Sequence, residues 1–126
     1  MKSREASFSI TFRHWLKANP QYSCAYEMKQ CTGPSFAFNL LEDHQATYLQ
    51  ATKSDKGTLI RVQGTVGEPD YVYLRNAPAY VVLFFKQNNE FHLIDVDTFL
   101  MEKGRSLRKS LTNARAREIS TISVKC

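Results

Sequence analysis

The chain is sparing with the residues that build special frameworks: three Cys, five Gly and four Pro among 126 residues. Cys24, Cys31 and Cys126 are odd in number and contain no Cys-x-x-Cys pair, which argues against a disulfide framework or a zinc site. They read as reduced thiols, two in or beside a strand and one at a terminus. So little Gly and Pro, with 43% hydrophobic and 23% charged residues, excludes collagen-like and low-complexity chains and points to one globular domain over 1–126. Long apolar runs are also missing. The most conspicuous, Tyr80 to Phe85, is far short of the roughly 18 residues that span a bilayer. Phe8, Ile10 and Phe12 interleave with polar residues after Met1-Lys2-Ser3-Arg4-Glu5, unlike a signal-peptide core. The expectation is a soluble, cytoplasmic protein with no membrane partner.

Acidic residues are scarce in one place only. Residues 103–126 hold seven Lys and Arg against Glu118 alone, whereas the rest of the chain is nearly balanced, with ten basic and eleven acidic residues. The net charge of +5 therefore sits in a C-terminal basic segment, the footprint of a phosphate-backbone contact or of a solvated basic tail.

Phe8, Phe12, Trp15 and Leu16 form a helical stripe over about 6–18, stopped by Asn19-Pro20. A strand is expected over 22–29, then a turn over 31–35, then a helix over about 40–52 with Asn39 as its cap. Residues 58–63 and 71–74 read as a wide hairpin around Gly64 to Pro69. Tyr80 to Phe85 reads as a strand buried on both faces, and 91–96 as its neighbour after Asn88-Asn89. Asp97 or Thr98 is expected to cap a short helix to Lys103, and a last helix over 113–119 precedes an extended tail. This order suggests an α/β fold, a mixed sheet flanked by helices.

The tripeptide Glu27-Met28-Lys29 carries the most chemistry. Residues two apart on a strand share a face, so a carboxylate and an ammonium stand side by side while Met28 faces the other layer. Such a pair can hold a divalent metal and offset phosphate charge; it can equally be a surface ion pair of ~0–1 kcal/mol. Pro69-Asp70 at the head of a strand can aim a carboxylate, or can simply be a turn. Gln45 can reach a water or phosphate from its helix, and Glu5 can join a metal site or merely favour the first helix's N-terminus. Asp95 and Asp97 read as a strand end followed by a cap rather than as metal ligands. His14, His44 and His92 lack metal-ligand spacing, and Gly-x-Ser-x-Gly and Gly-rich phosphate loops are absent.

Tyr26-Glu27-Met28-Lys29, then Ser35-Phe36-Ala37-Phe38, then Glu42-Asp43-His44-Gln45 resemble the active-site strand and following helix of PD-(D/E)xK nucleases. The likeness is to Holliday-junction resolvases of the RecU type and their small phage relatives. Ala79 to Phe85 and Phe91 to Asp95 are similar to the two strands that follow in such proteins, so the resemblance covers most of residues 1–100. It departs in one respect. The usual Pro-Asp hairpin lies between the first helix and the Glu-x-Lys strand, but here only 19–23 separate those elements, and 58–74 resembles that hairpin displaced after the Gln helix.

The resemblance implies a restriction-endonuclease-like fold with rearranged connectivity and a metal-dependent DNA endonuclease, selective for branched DNA. It makes Glu27, Asp70 and the Met28 carbonyl the metal ligands and Lys29 the catalytic lysine. Gln45 and Glu5 become assisting groups, and Mg²⁺ the ion, with Mn²⁺ able to substitute. Arg105, Arg108, Lys109, Arg115 and Arg117 would grip the DNA backbone, and two symmetric cuts imply a homodimer. A phage-encoded relative would work in the host cytoplasm. The alternatives are a non-catalytic nucleic-acid-binding module and, after it, a protein-interaction role for Tyr22, Tyr71, Tyr73 and Tyr80.

Overall fold

The computed structural model describes residues 4–22, 25–62 and 70–126, with side chains over 8–22, 25–59 and 71–126. Helix α1, Arg4–Ala18, aligns Phe8, Phe12 and Leu16 at four-residue intervals, which places them on one face. Asn19 closes it by donating from Nδ2 to the Trp15 carbonyl at 3.0 Å. Strand β1 is Ala25–Cys31, and the short strand β2 is Ser35–Ala37. Helix α2 covers Asp43–Lys53, and the hairpin β3–β4 covers Thr58–Val62 and Asp70–Leu74. Strands β5, Ala79–Phe85, and β6, Glu90–Asp95, follow. Helix α3, Val96–Arg105, strand β7, Ser110–Thr112, helix α4, Asn113–Ile119, and strand β8, Ile122–Lys125, complete the chain.

The fold is mixed α/β. Its main sheet has the order β1-β5-β6-β8 and is flanked by four helices. The β1–β5 pair is parallel and the other two are antiparallel. A parallel pair needs a crossover, which α2 and the β3–β4 hairpin supply. Strand β5 is central, and its two faces meet two separate cores. Val81, Leu83 and Phe85 pack with Phe36, Leu49, Phe99 and Leu111 on the side of α2, α3 and α4. Val82 packs with Phe8, Phe12, Phe91 and Leu93 on the side of α1. The second core is largely aromatic: the Phe8 ring lies 4.4 Å from Phe84, and Phe12 meets Tyr26 edge-on at 4.8 Å.

Several boundaries differ from expectation, most of them for a non-local reason. Asn39 does not cap α2. It lies in a 3₁₀ turn, Phe38–Leu40, because Phe38 and Leu41 are both buried and the Phe38 N–H donates to the Lys109 carbonyl at 3.1 Å. Helix α2 starts instead after Glu42. Residues 35–37, of which only Ser35 carried an expectation as the end of a turn, are a strand because they pair with β7. Helix α3 is capped by Asp95, whose Oδ1 accepts from the Asp97 and Thr98 N–H groups at 2.9 and 3.4 Å. The expected tail is strand β8, held against β6. The hairpin forms as expected, in the register Thr58 opposite Leu74 through Val62 opposite Asp70. Gly57 turns into it with φ +72°, where a Cβ would overlap the Leu74 carbonyl oxygen.

Candidate functional site

The alternation of β1 does what its period requires. Tyr26 and Met28 pack on the α1 side, and Ala25 and Cys31 on the α2 side. Glu27 and Lys29, in phase with Ala25 and Cys31, therefore share the α2 face. Their side chains are 35% and 23% exposed, so both reach solvent from a partly dry floor. Lys29 Nζ lies 3.8 Å from Glu27 Oε1.

Gln45 completes the cluster from the first turn of α2. Its Oε1 accepts from the Glu42 N–H at 3.0 Å, the return half of a capping box, and its Nε2 donates to Glu27 Oε1 at 2.9 Å. The amide is thus held at both ends. Its orientation is set by having a donor on one side and a carboxylate on the other. Glu27 Oε1 serves Gln45 and Lys29, and Oε2 makes no hydrogen bond among the described residues. A single carboxylate with an open oxygen is a hard donor of the kind Mg²⁺ uses when substrate and water fill its remaining positions.

The other expected members of the site are not brought into this description. Asp70 is the first residue of β4 and Glu5 lies in the first turn of α1, but both side chains lie outside the described residues. The meeting of Asp70 with Glu27 therefore lies outside them too. Among the described residues, no group of three or more His, Cys, Asp and Glu could hold a metal ion. No helix among them is long and apolar enough to cross a membrane.

The basic segment divides into two kinds of residue. Arg115 donates from Nε to Glu102 Oε2 at 2.7 Å, from Nη2 to Glu102 Oε1 at 3.0 Å, and from Nη1 to Glu118 at 3.0 Å. Arg117 donates from Nη2 to Glu90 Oε1 at 2.7 Å, and the exposed Arg105 reaches Glu102 at 3.4 Å. Glu90 and Glu102 are buried carboxylates, which need such partners. Hydrogen bonds from Arg115 hold Glu102 below the usual carboxylate pKa, against its burial. Burial works against charge on Glu90 as well, but donation from Arg117 and Asn113 outweighs it and lowers its pKa. Lys103, Arg108 and Lys109 make no ion pair among the described residues. Together with Ser106, Leu107 and the opposite wall Ala37-Phe38-Asn39 they line a cleft of about 570 Å³. Asn39 carried no site signal in the sequence, and Lys103 only a share in the basic segment; the fold brings them to one cleft.

Two further clusters were invisible in the sequence. Lys53 Nζ donates to Asp95 at 2.8 Å and to Asp97 at 2.6 Å, tying α2 to the start of α3. Asp95 and Asp97 are therefore not a same-face strand pair: one ends β6 as a cap and the other lies in the first turn of α3. Burial opposes the Lys53 charge, but both carboxylates raise its pKa, and Lys53 lowers that of Asp97. In the second cluster, His92 is fully buried, with Nε2 2.6 Å from Asn113 Oδ1 and Nδ1 2.6 Å from Ser123 Oγ. Asn113 donates its Nδ2 to Glu90 at 3.2 Å, so its Oδ1 must face the ring and Nε2 must carry the proton. Burial pushes the His92 pKa down, which favours the neutral ring. Tyr22 and Tyr80 pack against the α1-side core, whereas Tyr71 and Tyr73 are exposed on the hairpin.

Comparison with family models, with curated proteins and with solved structures found no match.

Proposed function

We propose that this chain is a Mg²⁺-dependent DNA endonuclease of restriction-endonuclease-like fold. On this reading it works on branched DNA as a homodimer inside the cell, as the resemblance to RecU-type resolvases implies. One observation carries the reading: Gln45 comes from a separate element to meet Glu27 at 2.9 Å, and Lys29 stands 3.8 Å from the same oxygen. A plain surface ion pair needs no amide from a second element to orient its carboxylate.

The chain's own residues would divide the work simply. Glu27 would hold Mg²⁺ or Mn²⁺, with Asp70 and the Met28 carbonyl as the further donors the resemblance implies. An ion bound there supplies polarisation of a phosphoryl oxygen and a lowered pKa for bound water. Gln45 keeps the carboxylate in one orientation. Lys29, still an ammonium, donates hydrogen bonds to the non-bridging phosphate oxygens as negative charge grows on them. Water's oxygen would bond to phosphorus while the phosphorus–oxygen bond to the leaving sugar breaks, the water releasing a proton to solvent and the leaving oxygen taking one from solvent. Glu5 acts as an assisting acid from α1.

The second reading, a nucleic-acid-binding module without turnover, draws on the cleft that gathers Lys103, Arg108 and Lys109. A substrate panel separates the two. A four-way junction, a flap, duplex and single-stranded DNA are each incubated with Mg²⁺ or with EDTA. The nuclease reading expects Mg²⁺-dependent cleavage, greatest on the junction and lost in Glu27→Ala and Lys29→Ala. Salt-sensitive binding with no cleavage of any substrate would establish the binding module instead.

A further inference from the structure

The basic segment is sorted by the fold into cations that face carboxylates and cations that line a cleft. Of its cations, Arg105, Arg115 and Arg117 face carboxylates, and Lys125 donates to the Asn88 carbonyl at 3.3 Å. Lys103, Arg108 and Lys109 instead crowd the rim of one cleft whose lining contains no acidic residue. Like charges held close together repel, and the carboxylates that would relieve them, Glu102 and Glu118, are turned to Arg115. An anion is the missing counter-charge.

The cleft is also firmly shaped. Its walls are joined by the β2–β7 ladder and by the Phe38 N–H donating to the Lys109 carbonyl at 3.1 Å. Its mouth is set by the Arg108 N–H donating to Ser106 Oγ at 3.1 Å. At about 570 Å³ it lies within the ~300–1,000 Å³ of ordinary ligand clefts and is far too small for a duplex. Its lining is not purely polar. Leu107 stands fully exposed among the cations, where a side chain of its size has no structural use, and Asn39 offers an amide from the opposite wall. Cations with an apolar surface between them suit a phosphate and the face of an unstacked base. A flat anionic bilayer would leave the concave part empty.

We propose that this cleft binds one unpaired stretch of a nucleic-acid strand, with Lys103, Arg108 and Lys109 on its phosphates and Leu107 against a base. The inference rests on the nucleic-acid reading above and names the part of the substrate that reading leaves open. Asn39, on one wall of the cleft, lies six residues before Gln45 in the chain, so its Cα is within ~20 Å of the Cα of the residue that holds Glu27. At ~3.4 Å of rise per nucleotide, one strand reaches both within about six nucleotides. A branched substrate supplies such an unpaired strand where its arms diverge.

The test is equilibrium binding in EDTA, so that chemistry plays no part. Anisotropy of a labelled oligothymidylate is followed against salt for the wild type and for Lys103→Gln/Arg108→Gln/Lys109→Gln. A control of equal charge change is Lys56→Gln/Arg75→Gln/Lys86→Gln, and thermal melting confirms that each variant folds. Loss of three single-strand phosphate contacts should reduce the slope of log K against log salt by about 2. The control should keep the wild-type slope within a few tenths. An equal slope in the two triple variants overturns the proposal, as does wild-type binding to phosphatidylserine–phosphatidylcholine vesicles without binding to the oligonucleotide. For the base, the wild type should prefer oligothymidylate to an equally long abasic strand, and Leu107→Asn should bind both alike. An unchanged preference removes Leu107 from the site. Cleft-dependent binding with no cleavage in Mg²⁺ would refute the nuclease reading and leave this inference standing.

Discussion

Replacing Glu102 by Gln tests whether Arg115 belongs to the frame or to the ligand surface. Glu102 is 7% exposed and receives two short bonds from one guanidinium, at 2.7 and 3.0 Å. Glu102→Gln keeps the shape but removes the charge that both bonds depend on. Hydrogen bonds to a charged group contribute about 1.5–3 kcal/mol when buried, whereas exposed ion pairs contribute ~0–1 kcal/mol. The Arg115 side chain is 40% exposed, which places the expected loss at about 1–2 kcal/mol at pH 7. At roughly 4 °C per kcal/mol for a domain of this size, melting should fall by about 4–8 °C. The pH dependence follows in sign. The folded pKa of Glu102 lies below its unfolded value, so its contribution is complete above the unfolded pKa and is lost as pH falls through the folded one. Urea unfolding of wild type and variant should therefore differ at pH 7 and converge in acid. Equal stability at pH 7, or a gap that persists undiminished in acid, would refute the pairing.

Three other outcomes follow from the same geometry. Arg115→Gln should lower melting at pH 7 in the same direction yet leave the salt slope of oligonucleotide binding unchanged, in contrast to the cleft triple variant. Phe12→Ala, which empties the centre of the α1-side core, should cost about 3–5 kcal/mol in urea unfolding, and a loss below ~1 kcal/mol would contradict that packing. Nitrogen-15 spectra of His92 should show the proton on Nε2, and the ring should remain neutral as pH falls below ~6.5. Because its pKa is depressed, the stability tied to His92 is complete above the unfolded pKa and declines as pH falls from there toward the folded one. A ring that charges with an ordinary histidine pKa would contradict the buried network.

What the sequence made legible is what local pattern controls. Tyr80 to Phe85, apolar throughout, is the central strand because only a strand covered on both faces tolerates such a run. Helix α4 begins and ends at Asn113 and Ile119 as expected, with Thr112 Oγ1 accepting from the Arg115 N–H at 3.2 Å. The period of two put Glu27 and Lys29 on one face without further information. What escaped is what distant residues decide. Arg117 and Glu90 are 27 residues apart, and nothing local to either shows that one neutralises the other. Asn39 has a good capping side chain, but the burial of Phe38 and Leu41 claims that stretch first. Gln45 was legible as a helix residue able to reach a water or phosphate, but its bonds to Glu27 and to the Glu42 N–H depend on the packing of α2 and on a helix start three residues beyond the expected one.

Glu27 is the residue on which metal-dependent cleavage would most directly depend. Single-turnover cleavage of a labelled four-way junction is measured for the wild type and Glu27→Gln, in Mg²⁺ and in EDTA, alongside junction binding in EDTA. The account predicts cleavage only in Mg²⁺, a rate at least ~100-fold lower in the variant, and similar binding by both proteins, since a single electrostatic group in such sites supplies about 10²–10³ in rate. Equal cleavage by the two proteins, or cleavage by the wild type in EDTA, would contradict it.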